Sequence, residues 1–205
     1  MKKNYDSEYF FISKPENNKT LPFLVPDQNT ESLNFDFEVL PFGSPPLVFH
    51  NGWKKEYKER GIVTTCPDIL FSGADLIVRS PIRDRLLALN LPNVYLQPTV
   101  YIDDRDEWHE DYWYLTFPSR LDCWDRDASD YEQEVEPIRL GGFELYQVYA
   151  YSLDGPMLET IPANEKLLFK MGGTISADIV CHVSLLPIFT GGGKSGAQLT
   201  PVAQF

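Results

Sequence analysis

The sequence predicts an α+β fold, strand-rich with a few short helices and two related strand-helix-strand units. Three observations carry this reading. Short stretches with apolar residues at alternate positions recur along the chain, the period of a half-buried strand. Helical signals are confined to brief segments. A strand-helix-strand order that begins at Ile69 is met again from Leu168, which describes an α+β arrangement and not a regular βαβ series.

A chain of 205 residues buries roughly 70% of the surface it exposes when unfolded, enough for a core that needs neither disulfides nor metal. With 43% apolar and 14% aromatic residues it folds. We read residues 1–205 as a single domain with three parts: an irregular 1–60, a first unit 61–136 that includes an acidic segment, and a second unit 137–205.

The elements follow in order. Before residue 60, Pro15, Pro22, Pro26, Pro41, Pro45 and Pro46 interrupt apolar runs such as Tyr9-Phe10-Phe11-Ile12 and Phe35 to Leu40, read as strands joined by loops. Trp53 to Arg60 is rich in Lys and Glu and stops at Gly61, a short exposed helix with a glycine end. Asp68-Ile69-Leu70-Phe71 and Leu76-Ile77-Val78 are strands. Ser80-Pro81 then starts a helix, because Ser Oγ can accept an orphan amide and Pro has none to lose. Ile82, Leu86 and Leu89 share one face, and Asn90-Leu91-Pro92 ends the helix. Val94, Leu96, Val100 and Ile102 form the inward face of a half-buried strand, with Tyr95, Gln97, Thr99 and Tyr101 outward and Pro98 marking an edge or a bulge. Trp113, Leu115 and Phe117 alternate as another strand, and Phe143 to Tyr151 does so again.

The second copy matches Leu70-Phe71 with Leu168-Phe169, Ala74 to Val78 with Ala177-Asp178-Ile179-Val180, and Leu96 to Val100 with Leu199-Thr200-Pro201-Val202. Pro187 should interrupt its helix, and Gly191-Gly192-Gly193 stands where the first copy has Asn90-Leu91-Pro92.

The formal charge is −12, from 30 acidic and 18 basic groups, which disfavours nucleic acid as a partner. From Tyr101 to Glu136 there are 13 acids and 3 arginines, a net of −10, so the acidity belongs to this one stretch. The stretch also holds Trp108, Trp113 and Trp124. It reads either as a solvated loop with its aromatics turned inward or as a surface for a basic protein, where aromatic anchors combine with electrostatic steering.

Cys66, Cys123 and Cys181 are odd in number and lack CxxC spacing, which fits a reducing cytosol. The start has no unbroken apolar signal region and no stretch reaches the roughly 18 apolar residues of a membrane span, so a cytoplasmic location is expected. Gly191-Gly192-Gly193-Lys194-Ser195 resembles a phosphate loop, but Ile188 stands where the motif requires its first glycine. Asp125, Asp127, Ser129 and Glu136 match positions 1, 3, 5 and 12 of a calcium loop, yet Asp130 occupies the glycine position, which favours a solvated turn. His50, His109 and His182 lie far apart. Glu107 and Glu110 flank His109, but acids alone do not make a zinc site. Cys181 and His182, being adjacent, point to opposite faces of a strand.

The stretch Cys66-Pro67-Asp68-Ile69-Leu70-Phe71-Ser72, then Leu76-Ile77-Val78-Arg79-Ser80, Tyr114-Leu115, Leu121 to Tyr131 and Leu167-Leu168-Phe169-Lys170 resembles a bacterial family of immunity proteins of polymorphic toxin systems, first catalogued as a domain of unknown function. The resemblance covers roughly residues 60–205. It includes the family's Asp-x-x-x-Ser element at Asp125 to Ser129 and a Phe-Arg/Lys strand end at Phe169-Lys170; Pro187 and the triple glycine depart from the pattern. It implies an intracellular antidote that binds and neutralises a cognate protein toxin, with no catalytic residue carried over; the acidic stretch adds the expectation that the toxin is basic, and the charge, motifs and hydropathy lead us to expect no nucleic acid, no metal or cofactor and no membrane partner. Asp103, Asp104, Asp106, Glu107, Trp108, Glu110, Asp111 and Trp113 are the expected partner-binding residues. The alternatives are a non-catalytic adaptor or chaperone of a secretion system, and a metal-dependent hydrolase using His109 and its neighbouring acids.

Overall fold

The computed structural model describes residues 5–191 and 195–205; Gly192, Gly193 and Lys194 of the phosphate-loop-like run lie outside the described residues. The fold is α+β and strand-rich. In chain order the strands are β1 (Tyr9–Ser13), β2 (Leu24–Pro26), β3 (Leu47–Asn51), β4 (Ile69–Ser72), β5 (Asp75–Arg79), β6 (Tyr95–Ile102), β7 (Trp108–Thr116), β8 (Asp130–Tyr131), β9 (Ile138–Leu140), β10 (Phe143–Leu145), β11 (Val148–Ala150), β12 (Leu168–Lys170), β13 (Ile179–His182) and β14 (Gln198–Pro201). The helices are α1 (Gln28–Glu31), α2 (Lys54–Glu59), α3 (Ser80–Leu87), α4 (Gly155–Thr160) and α5 (Leu186–Thr190). Among the described residues no helix is long and apolar enough to cross a membrane.

The chain divides into two compact units. Unit A is Lys14–Pro118 with Pro187–Ala197, and unit B is Met1–Ser13, Ser119–Leu186 and Gln198–Phe205. These divisions differ from the boundaries at 60 and 136 read from the sequence. Residues 24–51 supply two strands to the same sheet as residues 69–116, so the proline-rich part is built into unit A.

Unit A is a six-stranded sheet in the order β2-β3-β6-β7-β5-β4, antiparallel throughout except for the parallel pair β3 and β6. One face buries Leu24, Leu47, Phe49, Leu70, Ile77, Tyr101, Tyr112 and Tyr114, with Phe35 and Leu40 packed on them. Phe35 to Leu40 is therefore not the expected strand: it is irregular chain whose carbonyls serve the sheet, Phe35 O accepting from Thr116 Oγ1 at 2.7 Å. The opposite face carries α3, with Arg83 3.9 Å over Trp113 and Trp113 Nε1 donating to Ser80 Oγ at 3.0 Å. Ser80 is the first helical residue and not the cap, its hydroxyl engaged with β7; Arg79 takes the cap position without a side-chain bond, since a guanidinium has no acceptor for the orphan amides.

Strand β6 also departs from expectation. Gln97, Thr99 and Tyr101, read as outward, are all buried, so both faces of β6 are covered. The polar pair is satisfied internally: Gln97 Nε2 donates to Thr116 Oγ1 at 2.7 Å, and Thr99 Oγ1 accepts from the Tyr114 amide at 3.1 Å. Pro98 is not on an edge strand. Pairing with β3 begins only at Thr99, so the ring sits where that neighbour requires no amide.

Unit B contains a four-stranded antiparallel sheet, β12-β13-β1-β14, over a core that includes Tyr9, Phe11, Cys123, Trp124, Tyr151, Leu158, Phe169, Met171 and Val180. The stretch from Phe143 to Tyr151, expected as one strand, is two short ones: β10 pairs with β9 and β11 with β8.

The two sheets share a topology. Strands β4-β5-β7-β6 of unit A lie in the same order and the same antiparallel senses as β12-β13-β1-β14 of unit B. Val78, Trp113 and Pro98 form one cross-strand row, and Cys181, Phe10 and Pro201 form its counterpart. Val78 to Pro98 and Cys181 to Pro201 both span 20 residues. The helix obeys the same offset, since Ile82 and Leu86 are buried and so are Leu185 and Phe189. This alignment sits one residue away from the sequence match for the first strand pair. Pro187 does not interrupt the second helical segment: a 3-10 turn over Val183–Leu185 runs directly into α5, and Pro187 is the second residue of α5. In the second sheet the strand equivalent to β7 is β1, from the start of the chain.

Candidate functional site

The β6–β7 hairpin carries most of the residues singled out by charge. Its connection, residues 103–107, is folded around Asp103. The Asp103 amide donates to Glu107 O at 3.0 Å, and its Oδ1 accepts from the amides of Arg105 at 2.8 Å and Glu107 at 3.0 Å. Asp106 adopts φ +65°, a left-handed conformation that a short polar side chain tolerates better than most. Because Oδ1 closes the turn, Asp103 is buried (8% exposed) and presents Oδ2 inward.

A bulge then decides what faces that carboxylate. Tyr101 pairs with His109 and Thr99 with Tyr112, so two residues of β7, Glu110 and Asp111, lie opposite Val100 alone. Side chains three apart, His109 and Tyr112, consequently share the face of Tyr101 and Thr99. His109 Nε2 stands 3.2 Å from Asp103 Oδ2 and 3.6 Å from Cys66 Sγ, and its ring lies against that of Tyr101 with centroids 5.7 Å apart and planes inclined by 19°.

Cys66 arrives from the segment before β4 and is fixed by its neighbours. Arg79 reaches its carbonyl at 3.4 Å, and the Tyr112 hydroxyl donates to Pro67 O at 2.6 Å. Burial pushes the Cys66 thiol above its ordinary range, with Asp103 adding to the effect and Arg79 opposing it. Burial also pushes the Asp103 carboxyl up, but hydrogen bonds from the Glu107 amide, His109 and the Arg105 amide outweigh it and hold the group below its usual value. The fully buried Tyr101 hydroxyl has no hydrogen-bond partner among the described residues. Thr64, beside it, donates to Asp104 Oδ2 at 2.8 Å and keeps lone pairs that face the Tyr101 hydroxyl.

The eight expected partner-binding residues separate into three groups. Asp103 and Asp104 turn inward, Asp104 accepting from Asn51 Nδ2 and Thr64 Oγ1. Asp111 pairs with Arg79 at 2.8 Å, and Trp113 lies half-buried under Arg83. Asp106, Glu107, Trp108 and Glu110 remain on the surface, where Asp106 meets Lys54 at 2.6 Å and Trp108 is 64% exposed. The acidic stretch is also divided between the units: residues 101–118 hold six acids and one arginine, residues 119–136 seven acids and two arginines, a net of −5 in each.

The later half serves unit B. Trp124 is buried beneath Arg126, which also pairs with Asp122, while Asp125 Oδ1 accepts from the amides of Asp127 and Ala128 in a turn. His50 is exposed, and His182 Nδ1 accepts from the Ser184 amide at 3.2 Å.

Cys66 and Tyr101 were not singled out from the sequence as functional neighbours of His109. Their only signal is the strand pairing, which a single sequence does not display. No protein-family model and no curated protein matches the chain.

Proposed function

We propose that this chain is an immunity protein, a cytoplasmic antidote that neutralises a cognate bacterial toxin by forming a tight complex and performs no catalysis itself. The observation that carries the reading is Trp108, a large aromatic left 64% exposed on a hairpin, with Asp106, Glu107 and Glu110 around it. Tryptophan is the residue most often found to dominate a protein interface, and surrounding carboxylates steer a basic partner to it. The exposed Lys54–Asp106 pair does little to offset this, since surface ion pairs contribute about 0–1 kcal/mol.

The test is rescue. Expression of the chain should protect cells that produce the toxin domain encoded by the adjacent open reading frame, and the two purified proteins should co-elute. Trp108→Ala should weaken the complex about thirtyfold, chiefly through faster dissociation. Reversal of Glu107 and Glu110 to lysine should slow association, more at low salt than at high salt. Co-elution without rescue would indicate an adaptor; rescue by the Trp108→Ala chain with unchanged affinity would place the binding surface elsewhere.

A further inference from the structure

Three chemically different donors meet at one point beneath the β6–β7 hairpin: Cys66 Sγ, Asp103 Oδ2 and His109 Nε2 all lie within 4.8 Å of one another. A Cys-His-Asp hydrogen-bond relay does not account for them. Such a relay uses opposite ring nitrogens, one toward the thiol and the other toward the carboxylate. Here the same Nε2 faces both Cys66 and Asp103, and a single N–H cannot serve both well. A cation at the point of convergence resolves this, because it engages all three lone pairs at once.

The spacing agrees. A tetrahedral zinc ion with sulfur at ~2.3 Å and nitrogen and oxygen at ~2.0–2.1 Å holds its sulfur and nitrogen about 3.6 Å apart and its nitrogen and oxygen about 3.3 Å apart. The corresponding separations are 3.6 Å and 3.2 Å. The donors are also braced as ligands usually are. Oδ1 of Asp103 is held by two amides, leaving Oδ2 to point inward, and the Cys66 backbone is held by Arg79. The ring stacked on His109 is that of Tyr101, fully buried, with Thr64 beside its hydroxyl.

We propose that Cys66, Asp103 and His109 form a site for a divalent transition metal, best matched to Zn²⁺, with a fourth position open beside Tyr101. The thiolate excludes Ca²⁺ and Mg²⁺, which take oxygen ligands. Binding releases the thiol proton of Cys66 to solvent. The site ties the segment before β4 to β7 and to the connection of the hairpin.

The experiment uses the full chain without an affinity tag, stripped with chelator and titrated with Co²⁺ and then Zn²⁺. One equivalent of Co²⁺ should give a thiolate-to-metal charge-transfer band with the visible bands of tetrahedral cobalt, both bleached by Zn²⁺. Cys66→Ser should lose the charge-transfer band, and His109→Gln should weaken binding at least about tenfold. Because the variants can lose structure, the unaltered chain supplies a second readout. Zn²⁺ should protect one thiol from iodoacetamide, and peptide mapping should place it at Cys66, since Cys123 and Cys181 are buried. Absence of the cobalt bands, a charge-transfer band that survives in a folded Cys66→Ser chain, or protection absent or mapped to another cysteine would each overturn the site.

Discussion

Tyr101 and Tyr112 occupy neighbouring strands with their rings 6.2 Å apart and perpendicular, and both are fully buried, yet their hydroxyls stand in opposite situations. Tyr112 OH donates to Pro67 O at 2.6 Å and accepts from Arg79 Nε at 3.1 Å. Tyr101 OH has only the Thr64 hydroxyl beside it and no partner of good hydrogen-bond geometry among the described residues. Removing a satisfied hydroxyl strands two groups, whereas removing an orphan relieves a desolvation penalty. In the metal-free chain Tyr112→Phe should therefore lose about 1–3 kcal/mol of stability, and Tyr101→Phe should change nothing or gain about 1 kcal/mol. Thermal or denaturant unfolding of the two variants checks this directly, and equal losses would mean that the Tyr101 hydroxyl is bonded. Neither tyrosine could be assigned from sequence. Alternation with Val100 and Ile102 pointed Tyr101 outward, because Gln97 and Thr99 on its face look polar; their hydroxyl and amide groups are paired within the sheet instead.

At the level of elements, much was legible. The strand at Tyr9, the short helix before Gly61, the Ile82 and Leu86 face of α3 and the strand through Trp113 and Leu115 all follow from local periodicity and punctuation. What escaped was the bulge, since an extra residue in β7 exists only relative to the count in β6. The hairpin pairing of Ile102 with Trp108, equally unseen in one sequence, brings His109 to Asp103, and the bulge sets it on the face of Tyr112 and Cys66. The bulge makes an asymmetric prediction. Deleting Glu110 removes the surplus residue and leaves Tyr101 opposite His109 and Thr99 opposite Tyr112, so the chain should keep cooperative unfolding within about 1 kcal/mol of the original. Deleting Trp113, where pairing is regular, moves everything on one side of the gap to the wrong face and should abolish the cooperative transition. If the two deletions are equally damaging, the registers on either side of Val100 are not independent.

For the whole molecule, the repeat explains a division of the chain that no local signal shows. Unit A uses its strands in the sequence order β4, β5, β6, β7, whereas unit B uses β12, β13, β14 and then the strand at the beginning of the chain. The similarity of the C-terminal copy to the first was visible, but its missing fourth strand lay about 190 residues away from β14, where no comparison of adjacent segments would find it. The two sheets are thus circular permutants of one arrangement. In unit B the described residues nearest the two ends are packed together: Tyr5 and Val202 share one buried cluster, and the rings of Phe205 and Phe11 have centroids 3.9 Å apart. The exposed turn at Glu16-Asn17 offers a place to open the chain. A chain that begins at Asn17, continues to Phe205, passes through a short Gly/Ser linker to Met1 and ends at Glu16 places β1 directly after β14, as β7 follows β6. It should fold to the same far-ultraviolet spectrum with a cooperative melt, because every ladder of both sheets is retained and only one exposed turn is cut. By contrast, deleting Tyr5 to Ser13 removes the strand that pairs on both sides, with β13 and with β14, and should unfold unit B. A permutant that aggregates while the deletion folds would contradict the strand equivalence of β1 and β7.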